Sequence, residues 1–255
     1  MKGIFAFISG ATSGFGEAIA RKFAENGLNI IITGRRQDRL EALKQELILK
    51  HPTIECVISC FDVRNEDEVK NAVLDLPDHV TSKIYILVNN AGLAVGRGPI
   101  DTGDSDDWNR MIDTNVKGLL YVSMAIIPFL KNHRNSQIVN IASIAGKEVY
   151  PGGNVYCASK HAVDALSRAM RMDLLPYGIK VTNIAPGAAD TEFSLVRFKG
   201  DSETAKSVYE GYTPLYAEDI ADSVFYVCSR PAHVTINDLV IMPTAQASAT
   251  NLLKD

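Results

Sequence analysis

The sequence predicts one α/β domain, a doubly wound parallel sheet with helices on both of its faces. Seven short segments rich in Ile, Val or Phe have apolar residues on both faces rather than at every second position, as in strands buried on both faces. Longer segments with helical spacing separate them. This alternation is typical of parallel sheets with right-handed crossovers. The chain contains no repeat and no linker rich in Pro, Gly or Ser, so residues 1–255 are expected to form a single domain.

The elements follow one another in a regular order. The predicted strands are residues 4–9, 29–33, 54–61, 84–89, 137–142, 180–185 and 235–241. The predicted helices are residues 14–26, 38–50, 66–76, 106–131, 154–175 and 218–229. Residues 188–217 contain no predicted strand and are expected to form a lid over a substrate. In folds of this class, ligands bind at the carboxyl ends of the strands.

Charge and apolar content exclude several classes of protein. The chain has 26 Lys and Arg against 30 Asp and Glu, a formal net charge of −4, whereas nucleic-acid binding by phosphate neutralisation usually needs a strongly basic face. No segment approaches the roughly 18 apolar residues that indicate a membrane span. The apolar run at residues 4–8 is too short for a signal peptide. We therefore expect a cytoplasmic protein that binds neither nucleic acid nor membrane.

Cysteine and histidine spacing argue against redox and metal chemistry. The four cysteines (Cys56, Cys60, Cys157 and Cys228) form no CxxC pair and lie in apolar surroundings, so we expect buried, reduced thiols. The five histidines show neither HxxxH nor HExxH spacing. No protein-held metal is expected.

The loop after the first strand has the composition of a phosphate-binding turn. It reads Ser9-Gly10-Ala11-Thr12-Ser13-Gly14-Phe15-Gly16, and a predicted helix begins directly behind it. Glycines let the backbone turn tightly and approach a pyrophosphate, whose charge is then stabilised by the amides at the helix N-terminus. Because the loop lies between a strand and a helix, we favour a nucleotide site over an ordinary glycine-rich turn.

The end of the second strand bears on which nucleotide is bound. NAD-binding folds place a carboxylate on the ribose about 20 residues after the glycines. Here the chain reads Thr33-Gly34-Arg35-Arg36, and the first acid is Asp38. Guanidinium groups can hold a 2′-phosphate through paired hydrogen bonds, so Arg35 and Arg36 favour NADP. The alternative is that they only begin a solvated helix.

A serine, a tyrosine and a lysine have spacing suited to proton transfer. Tyr156 and Lys160 are four residues apart at the start of a predicted helix and therefore share one face. Ser143 follows the fifth predicted strand. Nearby positive charge lowers the pKa of a tyrosine, which is about 10 in the free side chain, towards the range useful for acid–base catalysis. Taken singly, the pair could be an exposed helical contact and Ser143 a cap.

Together with Asn89-Asn90-Ala91-Gly92, Asn115 and Pro186-Gly187, these motifs resemble those of the short-chain dehydrogenase/reductase family over essentially the whole chain. The resemblance implies a Rossmann fold with strand order 3-2-1-4-5-6-7 and hydride transfer between a nicotinamide and an alcohol or carbonyl. It implies that Tyr156 transfers the proton, Ser143 orients the substrate oxygen, Lys160 holds the nicotinamide ribose and lowers the pKa of Tyr156, and Asn115 keeps a water in the proton relay. The further cofactor contacts that it implies are Asp62 and Val63 at the adenine, Asn89, Ala91 and Gly92 near the adenosine ribose, and residues from Pro186 and Gly187 to Thr191 at the carboxamide.

Longer segments are similar to one subgroup, the NADP-dependent 3-hydroxy acid dehydrogenases, also described as L-allo-threonine or serine dehydrogenases. These segments are residues 33–40, 151–156, 191–201 and 231–237. The resemblance implies oxidation of L-allo-threonine, serine, 3-hydroxyisobutyrate or 3-hydroxypropionate, or reduction of the corresponding semialdehydes. Cys157, Ser159 and residues 147–149 depart from the subgroup, which leaves the preferred acid open. The alternative is an NADPH-dependent reductase of sulfoacetaldehyde or another small carbonyl compound.

Two positions are candidates for binding a substrate that carries a carboxylate or sulfonate. Arg197 in the predicted lid can pair with such an anion; the alternative is an ion pair at the surface or between subunits. Gly153 precedes Tyr156 and is expected to shape the pocket floor, or else to form a turn before the helix.

The prediction of the oligomeric state is based on the family resemblance and on apolar residues of the two long helices that the sheet need not cover. Met124, Ile126, Leu166 and Met170 lie on the two long predicted helices, and the resemblance implies that these helices form the faces of a homotetramer. Burial of the same residues against the sheet is the alternative. The small polar tail, residues 245–255, either closes over the site of a neighbouring subunit or is disordered.

Overall fold

The computed structural model describes residues 2–255. All seven predicted strands are present and form one parallel sheet in the order β3-β2-β1-β4-β5-β6-β7. The strands are β1 (Phe5–Ile8), β2 (Asn29–Gly34), β3 (Cys56–Cys60), β4 (Ile84–Asn89), β5 (Gln137–Ile141), β6 (Lys180–Pro186) and β7 (Asp238–Ile241). The predicted fold class and strand order are confirmed.

Helices cover both faces of the sheet. They are α1 (Gly14–Glu25), α2 (Gln37–Lys50), α3 (Glu66–Leu74), α4 (Asp78–Thr81), α5 (Ser105–Ile112), α6 (Leu119–Leu130), α7 (Asn154–Asp173), α8 (Glu192–Arg197), α9 (Ser202–Ser207) and α10 (Ala217–Cys228). One core lies between the sheet and α1, α2 and α10, and a second lies between the sheet and α3, α6 and α7. β1 and β6 are buried along their whole length, as expected for strands covered on both faces. β7 differs: at the edge of the sheet its residues are exposed or half-buried, so the expected burial on both faces fails there.

The predicted helix 106–131 is interrupted in the structure. Between α5 and α6 the chain forms a π-helical turn, Asp113–Gly118. Such turns insert an extra residue into a helix and are frequent at functional sites. Gly118 permits a close approach here, because a Cβ at this position would lie 2.8 Å from the side chain of Val63. The turn carries the buried Asn115.

The lid and the C-terminal tail pack against each other. The lid contains α8 and α9, and a bridge between Ala189 and Leu215 closes its base. The tail lies against its own chain: the backbone amide of Asp255 donates to the carbonyl of Gly211 at 2.9 Å. The amide of Ala249 donates to Glu148 at 2.8 Å. The tail is therefore ordered against its own chain.

The apolar residues of α6 and α7 that were predicted to form subunit interfaces differ in how far they are buried. Ile126 and Met170 belong to the core, whereas Met124 is 59% exposed. Helical spacing alone does not show which of these residues are buried. It identifies the apolar face of a helix but not how much of that face the rest of the fold covers.

The cysteines also differ in burial. Cys56, Cys157 and Cys228 are buried free thiols, but Cys60 is exposed, which contradicts the expectation for that residue. Cys60 ends β3 at the edge of the sheet, where strand composition does not indicate which face is covered.

Within residues 2–255, no helix has the length and apolar character needed to cross a lipid bilayer.

Candidate active site

A cleft of about 910 Å³ lies at the carboxyl ends of the strands and extends under the lid. The predicted site residues line this cleft, with four exceptions. Gly16, Asn89, Asn115 and Gly153 lie behind its surface. The cleft therefore brings the glycine loop, Tyr156 and the lid together, although they are far apart in the sequence.

The glycine loop is shaped by close approaches that exclude side chains. Gly10 and Gly14 have φ angles of +69° and +55°, which are unfavourable for other residues. A Cβ on Gly16 would lie 2.3 Å from the carbonyl oxygen of Gly10. α1 begins at Gly14, and no side chain caps its first turn. The first amides of α1 are therefore available to an anion, as a pyrophosphate site requires.

Arg36 is held beside this loop. Its guanidinium donates to the Thr12 hydroxyl at 2.8 and 3.1 Å and to the Ser13 hydroxyl at 2.8 Å. It also pairs with Glu192 at 3.1 Å. The side chain is 40% exposed, so an anion can reach it from the cleft.

Arg35 is more exposed, at 60%, and lies 3.7 Å from Asp62. Asp62 also pairs with Arg64 at 2.6 Å. Val63 lies in the cleft lining, as do Ala91 and Gly92 on the strand side.

Asn89 is not in this lining. Its side-chain amide donates to Ser123 and to Asn140 at 2.9 Å each, inside the fold. The neighbouring Asn90 lines the cleft instead and donates to the carbonyl oxygens of Ser9 and Gly10 at 3.0 Å. Consecutive side chains at the end of β4 point to opposite faces of the sheet. The sequence does not indicate which of the two asparagines faces the cleft.

Tyr156 and Ser143 meet at the inner end of the cleft. Ser143 follows β5, and Tyr156 lies in the first turn of α7. Burial raises the pKa of Tyr156 above its usual value, while the hydroxyl of Ser143 and the guanidinium of Arg197 oppose this increase. Positive charge delivered next to this hydroxyl therefore favours the phenolate.

Lys160 lies one helical turn after Tyr156, and its amine donates to the carbonyl of Ile141 at 2.9 Å. Burial lowers the pKa of Lys160 to about 8. The guanidinium of Arg197, 5.5 Å from the centre of the Tyr156 ring, also lowers the pKa of Tyr156. The amine lies near Gly92, since a Cβ there would be 3.4 Å from the Lys160 nitrogen and 3.2 Å from the Asn115 oxygen.

Asn115 connects the π-helical turn to α7. Its oxygen accepts from the amide of Leu93 at 2.8 Å, and its nitrogen donates to the carbonyl of Leu93 at 2.8 Å. The nitrogen also donates to the hydroxyl of Ser159 at 3.0 Å, which in turn donates to the carbonyl of Tyr156 at 2.8 Å. This chain of hydrogen bonds fixes the helix that carries the tyrosine.

Arg197, at the end of α8, faces the tyrosine. Its guanidinium carbon lies 5.5 Å from the ring centres of both Tyr150 and Tyr156. One of its nitrogens donates to the hydroxyl of Tyr150 at 3.1 Å. The Nε atom is buried and has no hydrogen-bond partner within residues 2–255. A buried N–H without a partner is costly, so this atom is suited to a ligand oxygen.

Gly153 supports the same corner. A Cβ on Gly153 would lie 2.3 Å from the ring of Tyr150. The glycine thus places Tyr150 rather than lining the cleft itself.

Sequence reasoning missed three residues of the site. Tyr150 and Phe193 pack beside Tyr156, with ring centres of Phe193 and Tyr156 5.7 Å apart. Gln246 accepts from the amide of Ala188 at 2.8 Å and reaches the cleft from the tail. The aromatic residues were detectable from their nearness to Tyr156 and Arg197 in the sequence, but no local pattern indicates Gln246.

A glycine loop after the first strand of a parallel sheet lies in one cleft with a half-buried Ser143 and the buried Tyr156 and Lys160. This arrangement defines an oxidoreductase of the dinucleotide-binding class. The family model described as short chain dehydrogenase matches residues 5–200. The chain belongs to the short-chain dehydrogenase family.

Several known proteins are similar over nearly their full length. A sulfoacetaldehyde reductase of Chromohalobacter salexigens is 48% identical over 242 residues, 94% of each chain. An NADP-dependent 3-hydroxy acid dehydrogenase of Salmonella typhi is 45% identical over 247 residues, 96% of this chain and 97% of the relative. The closed form of a serine dehydrogenase complexed with NADP⁺ superposes with a TM-score of 0.91 at 43% identity, covering 99% of this chain and 100% of that one.

Proposed function

We propose that the protein transfers a hydride between NADP and the 3-hydroxyl group of small 3-hydroxy acids, or reduces the corresponding semialdehydes. The observation that carries this proposal is the cationic corner formed by Arg197 next to Tyr156, because it sets an anion-binding group beside the proton-transfer group. L-allo-threonine, serine, 3-hydroxyisobutyrate and 3-hydroxypropionate have the carboxylate and the hydroxyl close enough to reach both. The similarity to a 3-hydroxy acid dehydrogenase and a serine dehydrogenase supports the same substrate class.

The residues of the cleft fit NADP. The uncapped first turn of α1 suits the pyrophosphate, and the side chains of Arg36 and Arg35 suit a 2′-phosphate. When bound, NADP supplies the nicotinamide ring that exchanges a hydride with the carbinol carbon. The other predicted contacts that line the cleft are Gly10, Thr12, Ser13, Gly14, Phe15, Asp62, Val63, Ala91, Gly92, Pro186, Gly187 and Thr191.

Each member of the site has a distinct part in the reaction. Tyr156 takes the proton of the substrate hydroxyl during oxidation and returns it during reduction. Ser143 donates a hydrogen bond to the same substrate oxygen. Lys160 holds the ribose and contributes positive charge, and Asn115 keeps α7 in place through Leu93 and Ser159.

The substrate anion lies against Arg197 in this proposal. The guanidinium has an N–H without a partner within the described residues, and Tyr150 holds the group in place. A carboxylate or a sulfonate would satisfy that N–H. The same feature therefore also supports a second candidate function, NADPH-dependent reduction of sulfoacetaldehyde, which the 48% identical relative favours.

Initial rates of NADP reduction test the proposed function. Substrates are the four hydroxy acids and isethionate, each assayed with wild type and Tyr156→Phe. Turnover of hydroxy acids that falls by about 10²- to 10⁴-fold in Tyr156→Phe is expected. Turnover of isethionate alone would replace the substrate class with sulfonates. If no substrate reacts although NADPH binds, the substrate class is wrong.

The anion clamp has its own test. Arg197→Met should raise KM for hydroxy acids about tenfold, because an ion pair of this kind contributes of order 1.5–3 kcal/mol. KM for a neutral secondary alcohol should not rise. Arg168→Met, which removes an arginine on α7 that is 66% exposed, serves as the control. Equal effects on the two substrate types would contradict the clamp.

We also propose a homotetramer in the cytoplasm. Met124 at 59% exposure and Leu175 at 73% supply apolar surface on and after the two long helices, and the buried free thiols fit a reducing compartment. Sedimentation at micromolar concentration should give the mass of four chains; a monomer would end this assignment.

A further inference from the structure

The carboxylate of Glu192, in the lid, forms an ion pair with Arg36, the side chain proposed to bind the 2′-phosphate. Glu192 is the first residue of α8, directly after Thr191. One of its carboxylate oxygens is 3.1 Å from Arg36, and the other is 2.7 Å from Arg39. The two arginines approach Thr12 from the same side, with Arg39 3.4 Å from the Thr12 carbonyl. The lid is thereby tied to the cofactor end of the cleft.

The position of α8 makes this tie significant. A Cβ on Gly14 would lie 3.4 Å from the Cβ of Thr191, so the start of the lid rests on the glycine loop. Glu192 is separated from Arg36 by 156 positions in the sequence. The ion pairs therefore join the start of α8 to the start of α2 across the glycine loop.

Glu192 is an anion at neutral pH. Partial burial opposes ionisation, but hydrogen bonds from Arg39 and Arg36 outweigh it and hold the pKa of Glu192 below its ordinary value. A phosphate and a carboxylate take the same guanidinium N–H groups. Placed side by side at Arg36, the two anions repel each other.

We propose that Glu192 is an internal competitor of the 2′-phosphate: it neutralises Arg36 and Arg39 and so lowers the affinity for 2′-phosphorylated nucleotides. This inference rests on the proposed use of NADP. It makes Glu192 a specificity-determining residue, because it weakens binding of NADP and leaves NAD untouched.

Binding of two nucleotide fragments tests this without catalysis. Calorimetric titration would give Kd for adenosine 2′-monophosphate and adenosine 5′-monophosphate with wild type and Glu192→Gln. We expect the variant to bind the 2′-phosphate fragment roughly three- to tenfold more tightly, the range expected for two partly exposed ion pairs. The 5′-phosphate fragment should bind both proteins equally. Glu41→Gln is the matched control, since Glu41 lies on α2 and accepts a hydrogen bond from Gln37 rather than from an arginine.

The outcomes separate this inference from the cofactor assignment. If neither wild type nor Glu192→Gln prefers the 2′-phosphate fragment, the assignment of NADP fails and the inference fails with it. If wild type prefers the 2′-phosphate fragment but Glu192→Gln binds it no more tightly, only the inference about Glu192 is overturned. Tighter binding of both fragments to the variant would also overturn it, because the lid would then act by blocking the cleft rather than by competing for charge.

Discussion

The pKa of the buried Tyr156 depends on the positive charge close to it. Its hydroxyl lies at the inner end of the cleft, where burial raises its pKa and Ser143 and Arg197 partly offset the increase. Alcohol oxidation needs the phenolate, which exists only at pH values near or above that pKa. A single cation close to the ring therefore shifts the pH range of the reaction.

Removing the charge of Arg197 should move the pH profile of oxidation. In Arg197→Gln the pKa of Tyr156 rises, so the pH at which kcat for a neutral alcohol reaches half its maximum should increase by about one unit. Arg197→Lys should restore most of the wild-type profile. Initial rates between pH 6 and 11 would measure it; an unchanged midpoint in Arg197→Gln would show that the guanidinium does not act on Tyr156.

Arg36 should decide between the two nicotinamide cofactors. Arg36→Asp replaces a donor to the 2′-phosphate with a repelling carboxylate, so Kd for NADP should rise about ten- to a hundredfold relative to Kd for NAD. Arg36→Lys retains the charge but not the paired N–H groups, so its ratio of Kd for NADP to Kd for NAD should lie between those of wild type and Arg36→Asp. Fluorescence titration of NADPH and NADH provides both constants. A constant ratio across the three proteins would assign the discrimination to another residue.

At the scale of elements, the glycine loop and the π-helical turn each position groups of the site. The loop positions the first amides of α1, and the turn positions the side chain of Asn115. The loop turns sharply at Gly10 and Gly14, and α1 then begins with free amides. The π-helical turn places Asn115 where it bonds to both backbone groups of Leu93. The glycine loop was predicted from the sequence, whereas the π-helical turn was not, because residues 106–131 were expected to form one continuous helix.

A methyl group on Gly16 should displace the loop. The Cβ would lie 2.3 Å from the Gly10 carbonyl, which is backbone and cannot swing aside. We expect Gly16→Ala to reduce the free energy of unfolding by about 1–3 kcal/mol and to weaken NADPH binding. Gly98→Ala is the control, because a Cβ there meets no atom within 4 Å. Urea unfolding and NADPH titration would show whether both effects occur; full binding by Gly16→Ala would contradict the close approach.

At the scale of the whole molecule, the chain terminus completes the substrate end of the cleft. Gln246 binds the Ala188 amide at the base of the lid, and the tail is anchored at Glu148 and Gly211. Shortening the chain after Thr244 should raise KM for hydroxy acids about fivefold, as expected for a lost hydrogen bond and a more open lid. Gln246→Ala should give part of the effect, and Ser248→Ala, which alters only the turn within the tail, should give none. An unchanged KM in the shortened chain would mean that the tail only covers surface.

Local pattern by itself predicted the seven strands and the loop at residues 9–16, whereas the strand order and the roles of the site residues followed from the family resemblance. Continuous apolar runs identify strands buried on both faces, and the strand–loop–helix position of residues 9–16 identifies the nucleotide end. These features are short-range, since each is set by neighbouring residues and by the backbone conformations that they allow.

Only the tertiary structure decided which residues meet across the fold. It turned Asn89 inward and Asn90 to the cleft, buried Ile126 and Met170, and exposed Cys60. It also brought Glu192 to Arg36 and Gln246 to Ala188, contacts that no spacing along the chain encodes. The physical reason is that periodicity specifies which face of an element is apolar, whereas the packing of lid, tail and sheet fixes what that face touches.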